Sequence, residues 1–339
     1  MRFVKLGQVL VRRRKLVVAL FAIGFVLAGA LGAGVAEKLS NGGFEDPNAD
    51  STKAHELLED HFEAGEPNVV LVVTANGGDV DDPAVVAAGN AITDELAALE
   101  HTNEVLSYWS LGNPPPLRAG DGTSALVLGR VDGTEDEVHD QVEAIVEDFT
   151  YDDGTVTVGV TGRDAVFAEV GSTIEKDLAM AELIAFPITA ILLFFVFRSV
   201  VSALLPLAVG GIAIVGTFLV LSVLAEMTLV SIFALNLTTA LGLGLSIDYA
   251  LFIVSRYREE RANGHDTGEA VVRTVATAGR AVFFSGLTVA VSLGALLVFP
   301  IAFLRSFAYA GIPVVGLAVL GAVVFLPALM ALLGDRIDK

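Results

Sequence analysis

The chain has 339 residues, of which 54% are hydrophobic and only 18% charged, with a mean hydropathy of +0.67 and a formal charge of −19. So apolar a composition excludes an ordinary soluble domain, and the acidic excess disfavours nucleic acid and other polyanions as partners. The absence of cysteine excludes disulfides and thiolate metal sites.

In chain order, Arg2, Lys5, Arg12, Arg13, Arg14 and Lys15 precede an apolar run over 16–36. At about 1.5 Å per residue this run spans a bilayer, and it is longer than the apolar core of a secretory signal, so residues 1–36 are expected to be a basic N-terminus and a retained first transmembrane helix. Residues 37–177 hold 31 of the 40 acidic residues and only six Lys or Arg, and form a separate hydrophilic domain. Apolar alternation and breakers within it predict a strand over 68–75, a helix over 83–100, a strand over 104–110, a strand over 124–131, a helix over 134–149 and a strand over 155–161. That order, β-α-β-β-α-β, is the split βαβ or ferredoxin-like arrangement, with two helices on one face of a four-stranded sheet. A helical stretch over 163–177 then leads into the next span. Its clustered acids, Asp81 with Asp82, Glu135 to Glu137 and Asp152 with Asp153, fall at turns and helix starts, where carboxylates accept from backbone N–H groups. His55 and His61 lack a third ligand at metal spacing, and His101, His139 and His265 are scattered, so neither a metal nor a cofactor is expected.

Five further apolar runs follow, over 178–197, 200–224, 229–254, 281–301 and 304–333. The expected fold is therefore an α-helical integral membrane bundle of six transmembrane helices, one plus five, with the α+β domain inserted after the first and a short tail over 335–339. Basic residues set the orientation. The N-terminus and the loop over 256–280, rich in Arg256, Arg258, Arg261, Arg273 and Arg280, face the cytoplasm of an inner-membrane protein. Residues 37–177 and the turn at Glu226 lie outside; Arg305 breaks the pattern. The 256–280 loop reads as an amphipathic connection lying along the inner leaflet, with Val271, Val272 and Val275 on one side. Pro187, Pro206 and Pro313 are expected to kink their helices or mark local irregularities, which membrane bundles tolerate.

One residue dominates the functional reading. Asp248 lies inside a membrane-grade run, about 12 Å from Arg256 and too deep for its short side chain to reach the rim. A carboxylate there opposes insertion by about 2.5 to 3.5 kcal/mol, and such residues mark proton or ion pathways. Asn236, Ala240, Gly244 and Asp248 recur every four residues with Gly242 nearby, which predicts an inward, closely packed face for Gly242 and Gly244. Ser285, Thr288 and Ser292 form a hydroxyl stripe that could line a relay, although such groups often bond their own helix. Glu182 is a second acid in a span, near its outer end.

The segment 242–260 (GLGLSIDYALFIVSRYREE) resembles MMPL-type transporters of the resistance-nodulation-division superfamily. The Arg-rich start, the one-plus-five layout and the closing Phe303-Leu304-Arg305-Ser306 and Leu326-Pro327-Ala328-Leu329 segments support the resemblance. It implies that the outer domain is of porter type and that Asp248 and Tyr249 form a proton relay. It also implies a two-half transporter of which this chain resembles the N-terminal half, so a second six-helix half, a second copy or a separate chain is an expected partner. The leading expectation is an exporter of lipids or other hydrophobic molecules driven by the proton-motive force. Its rival is a non-transporting, sterol-sensing-like module that binds lipid or a partner protein. No nucleophile–base pair, phosphate loop or metal constellation suggests an enzyme.

Overall fold

The computed structural model describes residues 2–40, 42–62 and 65–338, which separate into a helical unit, residues 1–47 and 180–339, and an α+β unit, residues 48–179. Residues 42–47, expected with the polar domain, belong to the helical unit. Ser40 pairs with Ser231, and Phe44 lies 4.8 Å from the Phe303 ring and 6.1 Å from that of Phe233.

The α+β unit begins with α3 (Asp50–Phe62), a helix with no counterpart in the sequence reading, and continues β1 (Val69–Ala75), α4 (Pro83–Ala97), β2 (Thr102–Ser107), β3 (Ser124–Val131), α5 (Glu135–Phe149), β4 (Tyr151–Asp152) and β5 (Val156–Thr161). The sheet is antiparallel with order β2-β3-β1-β5-β4. It has five strands rather than four because Tyr151–Asp152 adds a two-residue edge against β5. Strict alternation in β1 turns Val69, Leu71, Val73 and Ala75 to one face, where they join Ile92 and Leu96 of α4 and Val142 and Ile145 of α5. The acids behave as structural groups. Thr134 caps α5 in a reciprocal box with Glu137, the Asp153 carboxylate accepts from the N–H groups of Thr155 and Val156, and Asp79 accepts from Asp81 N and Arg118. The Asp81 backbone N–H and then the Arg118 guanidinium hold the Asp79 carboxyl below its ordinary range. The side chains of His55 and Glu135 lie outside the described residues.

In the helical unit, α1 (Arg2–Arg12) turns at Arg13 into α2 (Arg14–Gly32). Then come α6 (Arg163–Phe197), continuous from the α+β unit, α7 (Val200–Ala225) and α8 (Phe233–Ala262). Two rods follow: α9 (Thr267–Thr274) continues through a π turn, Val275–Gly279, into α10 (Arg280–Gly294), and α11 (Ala302–Leu320) through another, Gly321–Phe325, into α12 (Leu326–Leu333). Among the described residues five helices are long and apolar enough to cross a membrane: Arg14–Gly32, Val200–Ala225, Phe233–Ala262, Thr267–Val298 and Ala302–Leu333. Leu183–Phe197 of α6 is a shorter apolar stretch; the Glu182 side chain lies outside the described residues. Small residues let the helices meet closely. A Cβ built on Gly32 would stand 2.8 Å from the backbone N of Leu219 in α7.

Pro187, Pro206 and Pro313 lie inside α6, α7 and α11, and two π segments interrupt the regular pattern of the last two rods. In the 256–280 connection the valine side packs on protein: Val271 and Val275 are fully buried, and a Cβ on Gly7 of α1 would stand 2.9 Å from Val272 Cα. The basic N-terminus is itself an amphipathic helix, with Gly7 and Leu10 buried and Lys5 and Arg12 exposed. Arg305, the exception in the charge pattern, donates to the carbonyls of Phe299 (2.7 Å) and Pro300 (2.9 Å) and so closes the turn between the last two rods.

Candidate functional site

The site is built on α8, whose buried stripe runs Ala234, Thr238, Gly242, Ser246, Ala250, Ile253 and Tyr257. These residues recur at three and four, the spacing of one helical face. Gly242 is the close-packing point of that face: a Cβ there would stand 2.6 Å from Ile214 of α7 and 3.1 Å from Val314 of α11. Thr238 satisfies its hydroxyl on Ala234 O at 2.8 Å.

Asp248 lies two residues, about 200° of helix, beyond Ser246, and therefore points the opposite way. It is exposed, together with Ala240, Gly244, Ser255 and Phe252, the last at 52%. This corrects the expected inward face. Ala240, Gly244 and Asp248 do share a face, but Gly242 is on the other side, and a Cβ on Gly244 would meet nothing within 4 Å. Four-residue spacing fixes which side chains lie together on a helix, while which face is covered depends on the neighbouring helices. In this unit α7 and α11 cover the Gly242 face. The Asp248 side chain makes no hydrogen bond or ion pair with another described residue.

Tyr249, its neighbour, turns inward. It is 6% exposed, packs in the same core as Val315 and Val319 of α11, and its hydroxyl has no partner among the described residues. A Cβ on Gly286 of α10 would stand 3.6 Å from that oxygen. Ser246 Oγ is likewise buried and unpartnered, a polar group the sequence reading missed although it falls in register with Thr238 and Gly242. Two orphan hydroxyls within one turn are unusual, since buried polar atoms ordinarily find partners.

The hydroxyl stripe of α10 is exposed. Thr288 Oγ1 donates to Phe284 O at 2.9 Å and Ser292 Oγ to Thr288 O at 3.0 Å, the self-bonding pattern of membrane helices, and neither reaches Asp248 or Tyr249. Ser285 is exposed beside them. The structure thus brings Tyr249 against α10 but leaves Asp248 and the stripe separate.

The last turn of α8 carries a polar clamp that sequence reasoning also missed. The buried Glu260 carboxylate accepts from Arg256, and His265 Nδ1 stands 3.4 Å from its other oxygen. Arg258 donates to Phe197 O and Ser202 Oγ, while Ser199 and Ser202 both donate to Ile337 O at 2.7 Å. These contacts tie the end of α8 to the ends of α6 and α7 and to residues beyond α12.

Residues 43–339 match the model of the MMPL family. The chain is 39% identical over 98% of its length to a membrane protein of Streptomyces coelicolor, 47% of which is covered. It is 34% identical over 98% of its length to the trehalose monomycolate exporter MmpL3 of Mycobacterium tuberculosis (36% covered), and 30% identical over 96% to the heme uptake protein MmpL11 of that species (34% covered). The chain thus spans half or less of the length of these relatives.

Proposed function

The chain belongs to the MMPL family, and from that membership we propose that it is one six-helix half of an exporter that moves lipids or other hydrophobic molecules out of the cytoplasm at the expense of the proton-motive force. In this reading Leu183–Phe197 completes six spans, the basic N-terminus and the 256–280 connection are cytoplasmic, and the α+β unit is an extracytoplasmic porter-type domain. The split βαβ strand order and the distribution of Lys and Arg support that assignment. Lipid cargo is supported by the name of the trehalose monomycolate exporter to which the chain is similar.

The observation that carries the proposal is the placement of Asp248 on an uncovered face lined by Ala240 and Gly244. Facing acyl chains, the ionised carboxylate would cost about 2.5 to 3.5 kcal/mol, whereas against a second six-helix unit its small neighbours admit a helix at close range. That unit would supply the polar groups Asp248 lacks, and its shift relative to this one would give Asp248 alternating access to protons from either side. Ser285, Thr288 and Ser292, exposed on α10, would face the same water-containing seam. Tyr249, whose orphan hydroxyl needs a partner, would take one when α10 moves. Each charge crossing 100 mV yields about 2.3 kcal/mol, so a few protons suffice to drive such a movement. The role is transport, with no covalent chemistry.

Asp248→Asn tests it. Export measured in cells or proteoliposomes that contain the complete transporter should be lost, while membrane insertion and the melting of the α+β unit, followed by the single Trp109, are retained. Undiminished export in the variant would overturn the relay.

A further inference from the structure

A groove of about 770 Å³ opens on the helical unit between α1, α10 and α11. It lies within the roughly 300 to 1,000 Å³ of sites that bury most of a small ligand. Its walls are apolar, formed by Phe3 and Leu6 of α1, Phe284 and Leu287 of α10, and Gly316 and Val319 of α11. Phe3 and Phe283, which both line it, meet edge-on with centroids 5.9 Å apart. Gly316 is exposed there, and a Cβ on it would meet nothing within 4 Å.

The groove has a charged end. Arg2 is part of its lining, and the Arg280 guanidinium lies 5.8 Å from the centroid of the Phe284 ring. Elsewhere in the helical unit Arg273 pairs with Glu269, Arg256 with Glu259 and Glu260, and Arg258 donates to Phe197 O. Arg2 and Arg280 form no ion pair with a described residue. Guanidinium forks match phosphate oxygens, and apolar walls beside them match a hydrocarbon tail. We propose that this groove is a binding site for an anionic phospholipid, one acyl chain lying between α1, α10 and α11 and the phosphate held by Arg2 and Arg280. The bound lipid would fasten the amphipathic helix α1 to the rod that begins at α9. The proposal needs only that the helical unit sits in a bilayer and stands apart from the export reading.

The experiment uses the full chain, delipidated in a neutral detergent and titrated with phosphatidylglycerol under native mass spectrometry. Phosphatidylcholine of the same chains and inorganic phosphate serve as the comparison arms. One phosphatidylglycerol should be retained in preference to phosphatidylcholine, and inorganic phosphate should not displace it. Each basic residue near an anionic headgroup contributes about a factor of five, so the double variant Arg2→Gln, Arg280→Gln should bind phosphatidylglycerol about 30-fold more weakly. Arg2→Lys with Arg280→Lys, which keeps the charges and loses the guanidinium forks, should restore part of it. Gly316→Leu, whose Cβ would meet nothing within 4 Å and whose side chain would enter the groove, should weaken both lipids. Equal binding of the two lipids, unchanged binding by the Gln variant, or unchanged binding by Gly316→Leu would each overturn the proposal. So would displacement by phosphate alone. Because the chain has no cysteine, Gly316→Cys provides a further arm: a disulfide to another polypeptide would show that protein, and no lipid, fills the groove.

Discussion

Gly242 and Gly244 are two residues apart on α8, yet alanine at each should act oppositely. At Gly242 the new methyl would stand 2.6 Å from Ile214 Cγ1 and 3.1 Å from Val314 Cγ2, with a further Ile214 carbon at 3.4 Å. Two β-branched side chains on two different helices would have to yield together, the overpacking that costs about 1 to 3 kcal/mol. At Gly244 the methyl meets nothing, and the change removes a helix penalty of about 0.8 to 1.0 kcal/mol. Thermal unfolding of the chain in detergent, monitored by circular dichroism of the helices, should therefore fall for Gly242→Ala and hold or rise for Gly244→Ala. The assay extends to Gly244→Leu, which should also leave the isolated chain's melting unchanged but impair export by the assembled transporter, where a second unit would meet that face. The reasoning fails if Gly242→Ala melts like the wild type, or if Gly244→Leu destabilises the chain alone.

Two predictions concern the α+β unit. A Cβ on Gly89 would overlap the six-membered ring of Trp109, so Gly89→Ala should destabilise that unit by about 1 to 3 kcal/mol and shift the emission of this single tryptophan, read directly by fluorescence. Asp79, held below its ordinary range by the Asp81 N–H and Arg118, contributes stability that is present above the unfolded carboxylate value of about 3.9 and is lost as pH falls through the lower folded one. Asp79→Asn should accordingly lower the Trp109-detected melting point at neutral pH, with the gap to wild type closing in strong acid; a gap that is constant with pH would contradict this.

Much of this fold is legible in residues whose local preference and tertiary setting agree. Strand β3 occupies 124–131 as the alternation predicts, because one face of the sheet is buried and the other is not. The short edge Tyr151–Asp152 is invisible because two residues carry no period. Helix α1 is hidden under its six basic neighbours, although Phe3, Leu6 and Leu10 recur at three and four. The site divides the same way. That Ala240, Gly244 and Asp248 share a face follows from 3.6 residues per turn, but which face neighbouring helices cover is a property of α7 and α11. Sequence spacing therefore grouped the residues and misdirected Asp248. The adjacent Tyr249 shows the limit most simply: one residue, 100° of rotation, separates a side chain at the surface from one in the core.

The central claim is that protein covers the α8 face bearing Asp248 in the membrane. A photo-reactive amino acid placed at Gly244, where a Cβ meets nothing within 4 Å, samples that environment directly. Irradiation in native membranes, followed by mass spectrometry of the adducts, should yield a crosslink to a peptide of a second six-helix unit, on the same polypeptide or another. Adducts to lipid alone would contradict the account.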